Sequence, residues 1–342
     1  MVVGSQSYIA YAYNQGNVPE YPNNLVYEHV PIIEDSLQET VSPAVSSFMP
    51  RDRTGHKVLQ GFRTVDGTIT TELDMVSFAE WLGVLAGNTV SFAEVSVPTF
   101  PGFGLFGEGE YYKGSNNVTY LCVRGGKINS PQSLNHTCGD ETLEETVWRY
   151  VGEDIDRYEQ TAVSISNDPL EIPFTLIKSL IDTDCGNPLV NRMQFPDCSI
   201  NSVDMNMDSQ GNSRMIWEIL GKKANDVTNN DAAIREIYPR GSTGLPLHYE
   251  TYLYFNKEKR FNVTSFQLGM SNNIESEAFT LGSRYRKELP KKDAVVEGSL
   301  NMYVEDAVDI QTMRLEKDFE LLISLNWEVF HSSIMLPRCK YM

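Results

Sequence analysis

From Ile200 to Met207 the chain alternates, with Val203, Met205 and Met207 on one side of an extended backbone and Asp204, Asn206 and Asp208 on the other. Successive side chains of a β-strand point to opposite faces, so this pattern puts one face in a core and the other in water. A helix of about 3.6 residues per turn cannot present it. Ser209-Gln210-Gly211-Asn212 reads as a turn and Met215-Ile216-Trp217-Glu218-Ile219-Leu220 as the returning strand. Val263 to Met270 repeats the pattern, with Phe266, Leu268 and Met270 sharing a face. Asp66-Gly67, Ser271-Asn272-Asn273 and Glu297-Gly298 are read as further turns or bulges. The chain is therefore read as mainly β.

Helical signals are few. Met75 to Ala86 places Phe78, Trp81, Leu82 and Leu85 at helical spacing, with Asp74 to cap its start and Gly87 to end it. A second short helix is expected from Asp306, with Ala307, Ile310 and Met313 inward. Leu143, Val147, Val151 and Ile155 allow a third between Leu143 and Tyr158, against which Gly152 and the β-formers count. Between about Val97 and Thr161, Pro, Gly, Asn and Ser cluster around aromatics, as in Phe100-Pro101-Gly102-Phe103-Gly104, and this stretch is read as a surface insertion. Asn225 to Gly244 reads as a loop with a short helix at Asp231 to Ile237.

An internal echo sets the domain reading. Val65-Asp66-Gly67-Thr68-Ile69 is matched by Val296-Glu297-Gly298-Ser299-Leu300. A basic stretch precedes each (Arg51-Asp52-Arg53 and Arg284-Tyr285-Arg286-Lys287), and a short helix is expected after each. Either this is a duplication, with domains at 1–195 (insertion about 97–161) and 196–342, or it is chance likeness between two β-domains. A duplication would let three chains fill six quasi-equivalent places in a closed ring.

At 342 residues the chain has room for about two domains, and its 41% apolar and 22% charged residues are those of a water-soluble fold. It has no uninterrupted apolar run of about 18–20 residues and no basic, apolar leader in its opening Met-Val-Val-Gly-Ser-Gln, which points to synthesis in a cytoplasm. A net charge of −18 argues against a surface built to grip phosphates, but not against one that nucleic acid must pass without sticking; simple solubility is the other reading of the acid excess. Of the five cysteines, Cys122 with Cys138 and Cys185 with Cys198 could each close a loop, while Cys339 is left over; free thiols are the default in a cytoplasm.

Motifs for chemistry fail on context. Gly102-Phe-Gly104-Leu-Phe-Gly107 has dinucleotide-binding spacing, but prolines precede it and Glu108 and Glu110 would repel a pyrophosphate, so it is read as a flexible loop. Asp204-Met-Asn206-Met-Asp208 opens like a calcium loop but has Ser209 where glycine and Met215 where glutamate are needed, and the strand reading wins. His29, His56, His136, His248 and His331 lie in no nucleophile or metalloprotease motif. Trp81 and Trp217 are read as core or interface residues.

What remains is an order of elements. Ser46-Ser47-Phe48-Met49-Pro50-Arg51, then Val65 to Leu73, then Trp81-Leu82-Gly83-Val84-Leu85-Ala86-Gly87 resembles the first part of tailed-bacteriophage tail tube proteins. There a basic loop precedes a strand with Gly, an acidic residue and a short helix. Asp197 to Val203 is similar to the start of that family's central strand, and Val263 to Leu268, Asn272-Asn273 and the run to Ile323 to its final third. The segment Val97 to Thr161 departs from the family. The resemblance implies two tail-tube-like β-barrel or sandwich domains in tandem, each with a short helix, plus a surface insertion on the tube's outside. It implies a structural subunit, not an enzyme, with no cofactor or metal. Such a subunit polymerises as stacked rings, trimers with pseudo-six-fold symmetry or else hexamers, into a conduit for genome delivery. It would be assembled in the host cytoplasm and reside in the virion tail, away from any membrane. Its partners would be copies of itself and the tape measure, terminator and baseplate proteins, with DNA passing through the lumen without specific binding. Arg51, Arg53, Arg284, Tyr285 and Arg286 become candidate inter-subunit contacts. A terminator or baseplate ring is one alternative. A surface-binding β-sandwich module using the aromatics of Phe100 to Tyr112 on carbohydrate or protein is another.

Overall fold

The computed structural model describes residues 8–13, 25–45, 58–73, 75–87, 93–106, 110–136, 140–150, 157–160, 163, 172, 174–182, 189–208, 213–227, 234–238, 251–256, 258–260, 262–303, 318–327 and 330–340. In chain order the first strands are β1 (Tyr8–Tyr13), β2 (Leu25–Val30), β3 (Ile32–Asp35), β4 (Gln38–Val45) and β5 (Val58–Glu72), followed by α1 (Met75–Ala86). Eight short strands follow: β6 (Ala93–Ser96), β7 (Gly104–Phe106), β8 (Tyr111–Lys113), β9 (Thr119–Arg124), β10 (Gly126–Ile128), β11 (Asp140–Leu143), β12 (Thr146–Tyr150) and β13 (Arg157–Gln160). Then come β14 (Phe174–Asp182), β15 (Leu189–Asp208), β16 (Arg214–Gly221), β17 (Asn225–Val227), β18 (Ile234–Tyr238), β19 (Thr251–Phe255), β20 (Glu258–Arg260), β21 (Val263–Ser271), β22 (Val295–Met302), β23 (Phe319–Trp327) and β24 (Phe330–Cys339).

A 12-stranded sheet dominates. Its spine is β15, whose first half pairs β14 and β17 and whose second half pairs β16 and β21. Outward from that second half, β21 pairs β22 on one side, while β16 pairs β5 and β5 pairs β3 and β4 on the other. The alternation read from sequence is what divides the faces: Val203, Met205, Met207, Met215, Trp217, Phe266 and Leu268 are buried on one side. Over them lie α1 and the second sheet, ordered β20-β19-β23-β24, which contributes Leu253, Phe255, Leu321, Ile323 and Leu325. Trp81 meets Trp217 edge-on with ring centroids 5.1 Å apart, and the Trp217 indole N–H donates to the Thr71 hydroxyl at 3.2 Å. Both tryptophans are core residues.

Helix α1 has the predicted bounds and buries Phe78, Trp81, Val84 and Leu85. It ends because Gly87 takes a φ of 75°, its N–H reaching back to the Val84 carbonyl. Residues 74, 209–212 and 304–317, where a cap, a turn and the second helix are expected, lie outside the described residues.

Segment 97–161 is more than a loop. A four-stranded sheet, β11-β12-β9-β8, and the β10-β7 ribbon enclose a core of Phe106, Tyr120, Cys122, Ile128, Leu134, Leu143 and Trp148. Tyr111, Leu121, Val123 and Val147 then pack on Tyr254 and Leu322, the face of the second sheet turned away from the main core. The layers therefore run from the 12-stranded sheet, through core and second sheet, to this module.

Several expectations are corrected. The helix proposed over Leu143 to Tyr158 is a hairpin, β11 to β12, with β13 beyond it. Glu144 turns the chain with a φ of 51°, which a helix cannot contain, and Thr146 bonds back to the Leu143 carbonyl. The helix proposed at Asp231 to Ile237 is, from Ile234 on, strand β18, which pairs parallel to β2. Gly104 to Phe106 is strand β7 and not a flexible loop. Asp66-Gly67 and Glu297-Gly298 lie inside β5 and β22. At Gly67 the irregularity belongs to the partner strand: Ser36 and Leu37 break the run from β3 to β4, and an added Cβ on Gly67 would lie 2.5 Å from the Leu37 Cα. Asn273, with a φ of 47°, does turn the chain. No described sheet closes into a barrel, so the architecture is sandwich-like.

The connection from β21 to β22 folds over the end of the large sheet. Arg286 is its clasp, donating to the carbonyls of Ser276 (2.6 Å), Val65 (3.1 Å) and Gly221 (3.3 Å) and pairing with Asp66 at 2.7 Å. Lys291 donates to the Val84 and Leu85 carbonyls at the C-terminal end of α1, where a cation offsets the helix dipole.

Three outcomes follow from these contacts. Gly67→Ala is expected to cost about 2 kcal/mol or more, because backbone must move to admit the methyl group, as read by urea unfolding. Arg286→Met leaves buried carbonyls without donors and is expected to cost about 3 kcal/mol in the same assay. Glu144 accepts from the Ser130 hydroxyl and from the Asn129 and Ser130 backbone N–H groups, which hold its carboxyl down at about 2. Its folded value lies below its ordinary one, so the contribution is complete above pH 4.5 and is lost as pH falls through about 2. The amide resonances of Asn129 and Ser130 should titrate near pH 2, and Glu144→Gln should abolish that titration.

Candidate assembly surfaces

The side of the large sheet facing away from the core is polar. Register places Ser202, Asp204, Asn206 and Asp208 of β15 beside Arg214, Ile216 and Glu218 of β16 on one flank and Ser265, Gln267 and Gly269 of β21 on the other. Thr68, Thr70 and Glu72 of β5, Glu34 of β3 and Glu297, Ser299 and Asn301 of β22 extend the same face. Glu34, Glu72, Asp204, Asp208, Glu218 and Glu297 give it six carboxylates, against Arg214 as the one guanidinium among these residues.

The carboxylates are spaced. Asp204 stands opposite Ile216 and Gly269, Asp208 opposite Ser265, Glu218 opposite Ser202 and Thr68, Glu34 opposite Thr70, and Glu72 opposite Arg214. Directly opposed like charges would each cost a few tenths of a kcal/mol up to about 1 kcal/mol. The pairing gives a field of one sign without that penalty. Glu218 is also held by the Asn201 amide at 2.6 Å and the Ser202 hydroxyl at 2.9 Å.

This face is flanked by two strand edges. Among the described residues β22 pairs only with β21, and β3 and β4 pair only with β5. Both edges carry partly exposed apolar side chains: Val295 on β22, Ile33 on β3 and Val41 on β4. Neither has a lysine, a common device for blunting an edge, although β4 carries Pro43 beside a register irregularity, which interrupts its ladder there. The strands from β22 through β21, β15, β16 and β5 to β4 alternate in direction without exception.

The sequence-derived contact residues are placed unevenly. Arg51 and Arg53 lie outside the described residues. Arg286, with 4% of its side chain exposed, is spent on the clasp within the subunit. Tyr285 is half-buried and its carbonyl accepts from Ser283. Arg284 is exposed; its carbonyl accepts from the Arg63 N–H, and its guanidinium reaches Gln60 at 3.4 Å. Sequence reasoning missed the polar face as a unit, because its members come from six strands spread along the chain. The alternation within each strand was the available signal.

Cys122, Cys198 and Cys339 are free thiols, and burial pushes the Cys198 thiol strongly upward. Cys138 and Cys185 lie outside the described residues. Among the described residues no helix is long and apolar enough to cross a membrane, and no group of His, Cys, Asp and Glu is arranged to hold a metal ion. The Asp204–Asp208 segment is strand, as read.

No individually curated protein matches the chain. A family model does, over residues 4–330, and its description is phage tail tube protein. The match runs through segment 97–161, which the sequence reading set apart, and the family is a structural component of the virion tail. An extended match of this kind, together with the mainly β sandwich-like fold, establishes that the chain belongs to the phage tail tube protein family.

Proposed function

We propose that this subunit closes into rings by joining the β22 edge of one copy to the β3–β4 edge of the next, and that the rings stack into a hollow tube lined by the acidic sheet face. The carrying observation is the acidic face set between two unmatched, oppositely running edges. β22 runs one way and β3–β4 the other, so a head-to-tail neighbour continues the antiparallel alternation. Such a heterologous contact closes wherever its rotation does.

Spaced carboxylates on the inner wall would repel phosphates along its length and let a genome slide without being trapped. The module at 97–161 lies beyond the second sheet, on the side opposite the acidic face, and would stand on the tube's exterior. Assembly would take place in the host cytoplasm, with the tape measure, terminator and baseplate proteins as neighbours. Six strands from each of three copies, spaced about 4.8 Å and tilted about 40°, give a wall roughly 36 Å across between backbones. Six copies would double that width, so the three-chain ring suits a single duplex. The echo between Val65–Ile69 and Val296–Leu300 falls in β5 and β22, and we read it as a duplication whose halves, 1–195 and 196–342, share the large sheet.

Negative-stain microscopy of the purified protein should reveal hollow tubes built of three-chain rings. Val41→Lys and Val295→Lys together should leave the subunit folded by circular dichroism but hold it as a monomer in sedimentation. Tubes formed unchanged by that double variant, or a wild-type chain that stays monomeric at high concentration, would overturn the reading.

A further inference from the structure

The connection from β21 to β22 carries a feature that neither ring closure nor the lumen explains. At its tip Thr280 and Ser283 close a turn, Gly282 takes a φ of 90°, and Leu281 is wholly exposed. The tip is braced: Phe279 lies against Phe62 with centroids 4.3 Å apart, the Lys287 N–H bonds to the Ala278 carbonyl, and Arg286 anchors the base. Residues 278–287 include three cations and no carboxylate, in a chain of net charge −18. Of these, Arg286 is paired with Asp66 and Lys287 with the neighbouring Glu288 at 3.4 Å, which leaves the exposed Arg284 as the cation the tip presents.

The opposite end of the same sheet has the complementary character. There β15 ends at Asp208, which is exposed, β5 ends at Glu72 opposite the exposed Arg214, and β22 runs out to Tyr303, 72% exposed and held by a bond to the Asn262 carbonyl. Strands of this length set the two ends about 25 Å apart, so they cannot meet within one subunit. If edges pair around a ring, strands run along the tube and their ends face the adjoining rings.

We propose that the 278–287 tip is the stacking contact: Leu281 packs on Tyr303 of a second copy in the next ring, and Arg284 pairs with that copy's Asp208. The occupant is argued from charge complementarity between the two ends of one sheet. A head-to-tail contact of this kind does not close on itself and yields an open filament. The inference rests on the ring reading above.

The test compares the full-length wild-type chain with Leu281→Asp/Arg284→Glu, by sedimentation velocity and negative-stain microscopy. Single rings without tubes are expected from the variant, with unfolding unchanged because both side chains are exposed. Leu281→Ser serves the same purpose if the double variant misfolds. Adding Asp208→Arg to Arg284→Glu should restore tubes. Wild-type-length tubes from Leu281→Asp/Arg284→Glu would overturn this inference alone, as would failure of the charge swap to rescue a stacking-defective Arg284→Glu, or a variant held as monomer. Wild-type protein that forms neither rings nor tubes would instead overturn the ring reading.

Discussion

Burial of one face of the large sheet beneath α1 and the second sheet is the constraint from which the other features follow. Trp217, Ile69, Val65, Met205 and Leu268 lie on that face and Trp81, Phe255 and Ile323 close over it. Each fully buried side chain of this size is worth about 1.5–3 kcal/mol. A register slip of one residue would turn that whole set outward and the carboxylates inward, so the same interaction that stabilises the sheet also dictates what its other face displays.

That other face need not have been acidic for the subunit to fold. Its six carboxylates contribute nothing evident to the core, and their spacing opposite glycine, serine, threonine, isoleucine or Arg214 keeps their mutual repulsion low. The face is a surface built at small cost to stability. Repeated around a ring it would become a continuous wall of one sign, where partial exclusion of bulk water lengthens the reach of each charge. The two edges belong to the same economy: in a monomer an unpaired edge invites aggregation, while in the proposed ring they would form the seam.

Arg286 shows how packing assigns a role that residue type cannot. In the chain it stands beside Arg284 as one more basic turn residue. In the fold its guanidinium sits over the carbonyls of Val65 and Gly221, where the pairing of β5 with β16 ends, while Arg284 is exposed. The misread segment at Leu143 has a similar cause. Leu143 and Val147 are four residues apart and mimic a helical stripe, but the left-handed backbone at Glu144, a residue that gives no turn signal, folds the segment into a hairpin that sends them to opposite faces, Leu143 into the module's own core and Val147 against the second sheet.

What the amino-acid order determined by itself was local: that Ile200–Met207, Met215–Leu220 and Val263–Met270 are strands and which face of each is apolar, where α1 starts and stops, and an order of elements matching the tail tube family. Those signals lie within a few residues of one another, because strand alternation and helix periodicity are short-range. Only the tertiary structure decided that segment 97–161 has its own core, that β5 and β22 belong to one sheet, and which carboxylates share a face. Each of these depends on pairing between residues tens to hundreds of positions apart, which is set by packing and hydrogen-bond register and leaves no periodic trace along the chain.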